Sequence, residues 1–251
     1  MSKIFNVDNK FFSTINKIVD MMWLSFLWSI CSLPLIFLAM VFVIEYDKVG
    51  VLILVLFPIG SITVGPSSAA LYYAVVKSVR HERSYATKCF FHAFKVNFKI
   101  GALSSLIFGF IGAVLIFDII VAPYLGSSEE FSSITRGIFL GIGVFDVFAL
   151  VWVNPLLSRF ELKLKELIKN SLVLAVKNIF RTILMSALWI GMGYCFLHFF
   201  GYIYQYLIFI PFTVPALSAL LRSFIIEPVF KRITGDPNED SEKEVDAWYA
   251  E

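Results

Sequence analysis

A single carboxylate, Asp146, stands in an otherwise uncharged, apolar stretch between Arg136 and Arg159. If that stretch crosses a membrane, the carboxylate lies near the middle of the hydrocarbon. Ionisable side chains at that depth are costly and usually face a bundle interior or water, so they are functional candidates by default. The alternative is a carboxyl group that is buried for structural reasons and hydrogen-bonded to a neighbouring helix. The sequence leaves both interpretations open.

Polar and small residues also cluster where the second apolar stretch of the chain is expected to break. Hydroxyl groups and free backbone N–H groups at the start of a half-helix can bind a solute, as they do in transporters with discontinuous helices. A plain proline kink explains the same residues without a ligand. The candidate binding residues of the chain are Thr63, Gly65, Pro66, Ser67 and Ser68 at this break, together with Asp146.

The sequence lacks the short motifs of common enzyme sites. It contains no GxxxxGK[ST] phosphate loop, no HExxH zinc motif and no GxSxG nucleophile elbow. Its three histidines are isolated, and its three cysteines are far apart with no CxxC spacing, which argues against a metal site or a disulfide framework. We therefore expect a protein that is not an enzyme and has no catalytic residue, cofactor or metal. No nucleic-acid partner is expected either.

Composition decides which kind of fold must position these residues. Hydrophobic residues make up 59% of the chain, charged residues only 16%, and the mean hydropathy is +0.81. Soluble domains carry about 25% charged residues and could not hide this much apolar surface. The fold class predicted is all-α: a polytopic membrane bundle occupying residues 1–234, in contact with the lipid bilayer, followed by an acidic, mobile tail at 235–251.

Six apolar stretches are long enough to cross a membrane, since a span needs about 20 residues. Amphipathic elbow helices are predicted before the first, third and fifth spans, at residues 8–20, 86–99 and 161–181. The second span is too long for one upright helix, so it is expected to break between Pro58 and Pro66. The predicted spans are residues 21–44, 49–76, 100–121, 137–158, 182–200 and 202–226.

The distribution of basic residues predicts the orientation of the spans. All of the 21 lysine and arginine residues except Lys48 and Arg136 fall on one side of this six-span plan. Basic residues are retained on the cytoplasmic side, so both termini are expected to be cytoplasmic. The basic loops have three interpretations: they fix topology, they bind anionic lipid headgroups, or they bind an acidic surface of a partner protein.

The same plan suggests a threefold repeat of an elbow followed by a hairpin. Each returning span carries a proline, namely Pro66, Pro155 or Pro215, and local echoes accompany the elbows at 93–99 and 175–181. The alternative is that any helix entering a membrane from the cytoplasm begins with aromatic and basic residues. Gly137 and Gly141 add a GxxxG spacing, which is typical of close helix contacts.

Four short segments resemble the YesL family of bacterial multi-pass membrane proteins. They are residues 31–34 (CSLP), 63–73 (TVGPSSAALYY), 91–99 (FHAFKVNFK) and 154–161 (NPLLSRFE). The resemblance implies a protein of the bacterial cytoplasmic membrane linked to carbohydrate uptake, with subunits of a sugar ABC importer as partners. The chain departs from the family pattern by placing some 28 residues between Pro34 and Thr63.

These observations support one main hypothesis and one rival. The loop motif of an ABC importer's own permease is missing from residues 161–181. We therefore expect a non-enzymatic accessory or assembly partner of a carbohydrate uptake system. The rival is a small secondary transporter that uses the broken second span and Asp146.

Overall fold

The computed structural model of the protein describes residues 10–44, 52–80, 85–121, 129–200 and 210–234. Within these ranges the backbone is almost wholly helical and contains no strand. Helices suit a membrane because every backbone N–H and C=O group in hydrocarbon must find its partner within the protein. The helices are α1 (Lys10–Cys31), α2 (Leu33–Ile44), α3 (Ile53–Ser61), α4 (Val64–Ala74, continued by a π-helical turn at Val75–Arg80), α5 (Ala86–Val121), α6 (Glu129–Arg159), α7 (Leu164–Lys177), α8 (Ile179–Phe200) and α9 (Ile210–Thr234).

Four to six spans can be built from the described helices, a range that includes the predicted six. Four stretches are long and apolar enough to cross a membrane, and the number rises to six if each of two bent helix pairs is one span. The four are Leu54–Val79, Ala86–Asp118, Ser133–Arg159 and Thr213–Ile233, and the bent pairs are α1 with α2 and α7 with α8. The all-α membrane bundle is thereby confirmed. The start of the sixth predicted span and the acidic tail at 235–251 lie outside the described residues.

The predicted break in the second span falls at residues 62–63, between α3 and α4. Pro58 lies inside α3, and the Ser61 hydroxyl is 2.7 Å from the Pro58 carbonyl oxygen and 2.9 Å from that of Ser105 on α5. Pro66 lies in the first turn of α4, where a missing N–H costs no helical hydrogen bond. The two pieces still form one candidate crossing.

The first span breaks at a place that the sequence pattern did not indicate. A boundary was predicted at residue 20, between a surface helix and a span, but α1 runs through it without interruption. The break lies instead at Ser32, where α1 and α2 meet at a bend of 70°. Pro34 explains this position, because its ring crowds the carbonyl group four residues earlier and it has no N–H to donate there.

Of the predicted elbows, the one before the fifth span is sharpest. Helices α7 and α8 meet at Asn178 with a bend of 103°, and the Thr182 hydroxyl donates across it to the carbonyl of Ala175 at 3.0 Å. The amphipathic stretch at 86–99, by contrast, is the first part of α5 and continues into the span without a break. That helix contains no proline to bend it.

The proposed repeat has a local counterpart in hydrogen bonding. In three helices, a serine three residues after a proline donates its hydroxyl to that proline's carbonyl at 2.7 Å. Two of these prolines are Pro155 and Pro215, as the repeat predicts, but the third is Pro58 rather than Pro66. Serine commonly bonds back to its own helix, so the alternative explanation of the repeat stays open.

Helix α4 is the centre of the bundle. All ten residues from Gly65 to Ala74 are buried, and the helix packs against α1, α5, α6 and α9. Its two faces join two hydrophobic clusters, one around Trp152 of α6 and one around Phe90 of α5. Helix α9 also packs against α1, where the Ser25 hydroxyl accepts a hydrogen bond from the Ala216 N–H at 3.0 Å.

Candidate functional site

The candidate segment at residues 63–68 lies where α4 crosses α5. A Cβ atom at Gly65 would overlap the Ser105 hydroxyl and the Gly101 carbonyl oxygen of α5. Gly101 is confined in turn, since a Cβ there would lie 2.9 Å from the backbone nitrogen of Pro66. Small residues at a crossing let two helix backbones approach closely. Gly65 and Pro66 therefore serve the contact between these helices.

The two serines of the segment are bonded to their neighbours inside the bundle. The Ser67 hydroxyl donates to the Val64 carbonyl at 3.0 Å and lies 3.2 Å from the Ser32 hydroxyl, at the bend between α1 and α2. The indole N–H of Trp28 donates to the Ser68 hydroxyl at 3.0 Å. Both serines are buried. Their polar atoms thus fasten α4 to the first span.

Thr63 and Asp146 complete the predicted set, and no hydrogen bond joins them in the described chain. The buried hydroxyl oxygen of Thr63 has no hydrogen-bond partner among the described residues. Asp146 is half-buried on α6, and within the described chain no hydrogen bond or ion pair joins it to the 63–68 segment or to another group. Five of the six predicted residues thus lie at the start of α4, and the sixth, Asp146, lies on α6.

A buried charged cluster that the sequence did not indicate joins three distant helices. The Glu227 carboxylate on α9 accepts a hydrogen bond from the Tyr72 hydroxyl of α4 at 3.2 Å. Its other oxygen lies 2.5 Å from a guanidinium nitrogen of Arg159, at the end of α6. Glu227 is 3% exposed and Tyr72 2%. Both carboxylate oxygens are therefore engaged.

Arg222 lies one and a half turns before Glu227 on α9 and is the most deeply buried cation of the described chain, with 5% exposure. Its Nε–H donates to the Ser218 carbonyl at 3.2 Å, and its guanidinium carbon lies 5.0 Å from the ring centre of Trp189 on α8. Its Nη1 atom is buried and has no hydrogen-bond partner in the described chain.

The charges of this cluster do not balance. Arg159 and Arg222 contribute two positive charges and Glu227 one negative charge, and Glu227 is bonded to Arg159 and Tyr72 only. A cation near the middle of a spanning helix costs about 2.5–3.5 kcal/mol even on the lenient insertion scale. An arginine retained at this depth without an anionic partner is therefore the strongest sign of function in the described chain.

Sequence reasoning missed the cluster because of the positive-inside count. Arg159 and Arg222 were both assigned to basic cytoplasmic segments, and the sixth span was ended at residue 226. Helix α9 in fact continues to Thr234, which places Arg222 at its midpoint. The signal that could have found it is the pair of opposite charges, Arg222 and Glu227, within one apolar helix.

The remaining predictions have mixed outcomes. A Cβ atom at Gly137 or Gly141 would meet no described atom within 4 Å, so their GxxxG spacing makes no contact within the described chain. Large apolar side chains are exposed along α5, α6 and α8, as helices in contact with lipid require. No group of three potential metal ligands occurs in the ranges that the structure describes. Headgroup binding by the basic loops stays a prediction.

The fold and the buried polar contacts define a helical membrane protein of several spans. Over residues 21–119 the chain is similar to a family described as "Protein of unknown function, DUF624". This match begins within α1 and ends within α5. It includes the 63–68 segment and Tyr72, and ends before Arg159, Arg222 and Glu227. Neither a curated protein nor a solved structure matches the chain.

Proposed function

We propose that the chain is a non-enzymatic accessory or assembly partner of a carbohydrate uptake system, held in the bacterial cytoplasmic membrane with both termini in the cytoplasm. The support for carbohydrate uptake is the resemblance to the YesL family. The support for the orientation is the one-sided distribution of lysine and arginine.

One observation favours this function over the rival transporter. The polar helix start that a transporter would use is buried in helix contacts: Gly65 and Pro66 fill the crossing with α5, and Ser67 and Ser68 bond to the first span. Asp146, the second element of the transporter hypothesis, makes no hydrogen bond or ion pair to this segment within the described chain. A segment that holds the bundle together suits a protein that works by assembly.

The broad lipid-facing surface offers places where partner subunits can be sought. Ile138 on α6 and Ile190 on α8 are equally exposed, at 60% and 62%. Ile138 lies between Gly137 and Gly141, a GxxxG spacing that admits a close helix neighbour, whereas the glycines after Ile190, Gly191 and Gly193, do not have that spacing. The two positions form a matched pair for crosslinking.

The test combines crosslinking with a transport assay. A photo-crosslinking amino acid is placed at Ile138 or at Ile190, and the full chain is crosslinked in native membranes. We expect Ile138 to capture a sugar-importer subunit and Ile190 to capture lipid alone. Deletion of the gene should lower uptake of the corresponding sugar.

Two results would contradict the proposal. One is unchanged uptake of every sugar tested after deletion, together with no importer subunit captured at either position. The other is uptake by the purified protein alone in liposomes that is lost in Asp146→Asn, which would establish the rival transporter.

A further inference from the structure

We propose that Arg222 and Ser186 form a buried binding site for a small oxyanion, a carboxylate or a phosphate, between α8 and α9. The site differs from the predicted segment at 63–68 and does not require an uptake partner. It rests on two buried polar atoms, Arg222 Nη1 and Ser186 Oγ, that have no hydrogen-bond partner among the described residues.

The first is Arg222. The side chain is 95% buried, since its exposure is 5%, and its Nη1 atom donates to nothing in the described chain. Its Nε–H is held by the Ser218 carbonyl and its face is covered by Trp189. These two contacts fix the plane of the guanidinium and leave one of its N–H edges available. A guanidinium edge matches carboxylate and phosphate oxygens in geometry and charge.

The second is Ser186, one turn before Trp189 on the same face of α8. Its hydroxyl is buried and has no hydrogen-bond partner in the part of the chain that the structure describes. Other buried serines satisfy themselves: Ser104, for example, donates to the Gly101 carbonyl at 2.9 Å. Because the Trp189 ring lies against Arg222, the Ser186 hydroxyl lies one helical turn from the residue that covers the guanidinium.

Glu227 does not serve as the counter-ion of Arg222, because no hydrogen bond or ion pair joins the two in the described chain. One of its oxygens is bonded to Tyr72 and the other to Arg159. The cluster keeps one positive charge, and a buried cation without a partner is costly. A bound oxyanion would neutralise it and would accept hydrogen bonds from both orphaned donors.

Depth limits the source of the anion. Arg222 is twelve residues from either end of α9, which corresponds to about 18 Å of helix. That distance favours a small free oxyanion over the phosphate of a lipid at the membrane surface. A lipid headgroup drawn into the bundle carries the same chemistry, so the experiment separates the two sources.

The full-length protein is purified in an uncharged detergent and its melting temperature is measured with sodium phosphate, sodium acetate or sodium chloride at equal ionic strength. We expect a saturable rise of several degrees with phosphate or acetate and none with chloride. Arg222→Gln should abolish the rise. Ser186→Ala should weaken the apparent affinity roughly tenfold, as loss of one hydrogen bond to a charged group does, whereas Ser104→Ala should leave it unchanged.

A parallel arm uses nanodiscs containing phosphatidylcholine with or without phosphatidylglycerol. Stabilisation by phosphatidylglycerol that requires Arg222 and Ser186, without an effect of free phosphate or acetate, supports the site and identifies its ligand as a lipid headgroup. The proposal is overturned if neither the free anions nor the anionic lipid stabilise the wild-type protein more than chloride and phosphatidylcholine do. It is also overturned if the stabilisation persists unchanged in Ser186→Ala, a substitution small enough to leave the fold intact.

Discussion

The segment at residues 63–68 and the cluster around Glu227 treat polar groups inside the membrane in opposite ways. In the first, short side chains bond to the adjacent helices: Ser67 lies against Ser32, and Ser68 accepts from Trp28. In the second, long side chains reach across α4, α6 and α9, and one cation is left over. Neutral groups at a close crossing can satisfy each other locally, whereas charges must also balance in number.

The comparison shows which kind of intramembrane polarity points to a ligand. The Ser67 and Ser68 hydroxyl groups beside the helix break look like a binding site in the sequence but are bonded within the bundle. The Thr63 hydroxyl is neutral, so it needs no counter-charge, although it has no hydrogen-bond partner among the described residues. A charge that already has an oppositely charged partner, as Glu227 has in Arg159, needs no ligand. Only a buried donor that lacks both a bond and a counter-charge calls for something that the chain itself does not supply, and Arg222 has this property.

Removing the carboxylate of Glu227 should give the largest effect, because it breaks the cluster at its centre. In Glu227→Gln, Arg159 loses its ion-pair partner and the buried cluster gains a further unbalanced charge. Loss of one partner from a buried ion pair costs about 3–5 kcal/mol. Chemical denaturation of the protein in detergent should show a loss of this size in the free energy of unfolding.

Glu161 provides the matched control, since it is exposed on the loop after α6. Glu161→Gln should change the free energy of unfolding by less than about 0.5 kcal/mol. If Glu227→Gln changed the free energy of unfolding as little as Glu161→Gln does, the ion pair of Glu227 would not stabilise the cluster. The contrast between the two regions would then disappear.

Much of the first region could be predicted from the sequence, and little of the second. Pro58 and Pro66 act on their own helices, so the break between α3 and α4 follows from local chemistry. The bond between Tyr72 and Glu227 joins residues 155 positions apart. No local pattern encodes such a pair, and the charge count that oriented the spans assigned Arg222 to the wrong environment.

Gly65 tests whether the first region is a packing contact. In Gly65→Ala the new methyl group would meet the Ser105 hydroxyl and the Gly101 carbonyl, so α4 and α5 must move apart. Overpacking of this kind costs about 1–3 kcal/mol. Thermal unfolding, monitored by size-exclusion chromatography, should show that the variant is less stable than the wild type but still helical.

Gly137→Ala is the control for that substitution. No described atom lies within 4 Å of a Cβ at this position, and alanine is the better helix former by about 0.5–1 kcal/mol. The control should be neutral or slightly stabilised. Equal loss of stability in both variants would mean that Gly65 is sensitive for a reason other than its contact with α5.

The hydrogen bond between Ser32 and Ser67 can be measured by a double-mutant cycle. Ser67→Ala alone should cost about 1 kcal/mol because it leaves the Ser32 hydroxyl without its partner. Adding Ser32→Ala should cost less than it does in the wild-type background, with a coupling of about 0.5–1.5 kcal/mol. Additive effects would show that the two hydroxyl groups are satisfied independently, and the first region would then no longer be self-contained.

Asp146 should give the smallest effect, and it sharpens the comparison most because it belongs to neither region. The structure gives the carboxylate no bond or ion pair within the described chain, so Asp146→Asn removes no interaction there. We expect the free energy of unfolding to stay within about 0.5 kcal/mol of the wild type. A loss of about 2 kcal/mol or more would show that Asp146 has a cationic partner. It would then form a second ion pair of the described bundle beside that of Arg159 and Glu227, and paired charge would not be confined to the region around Glu227.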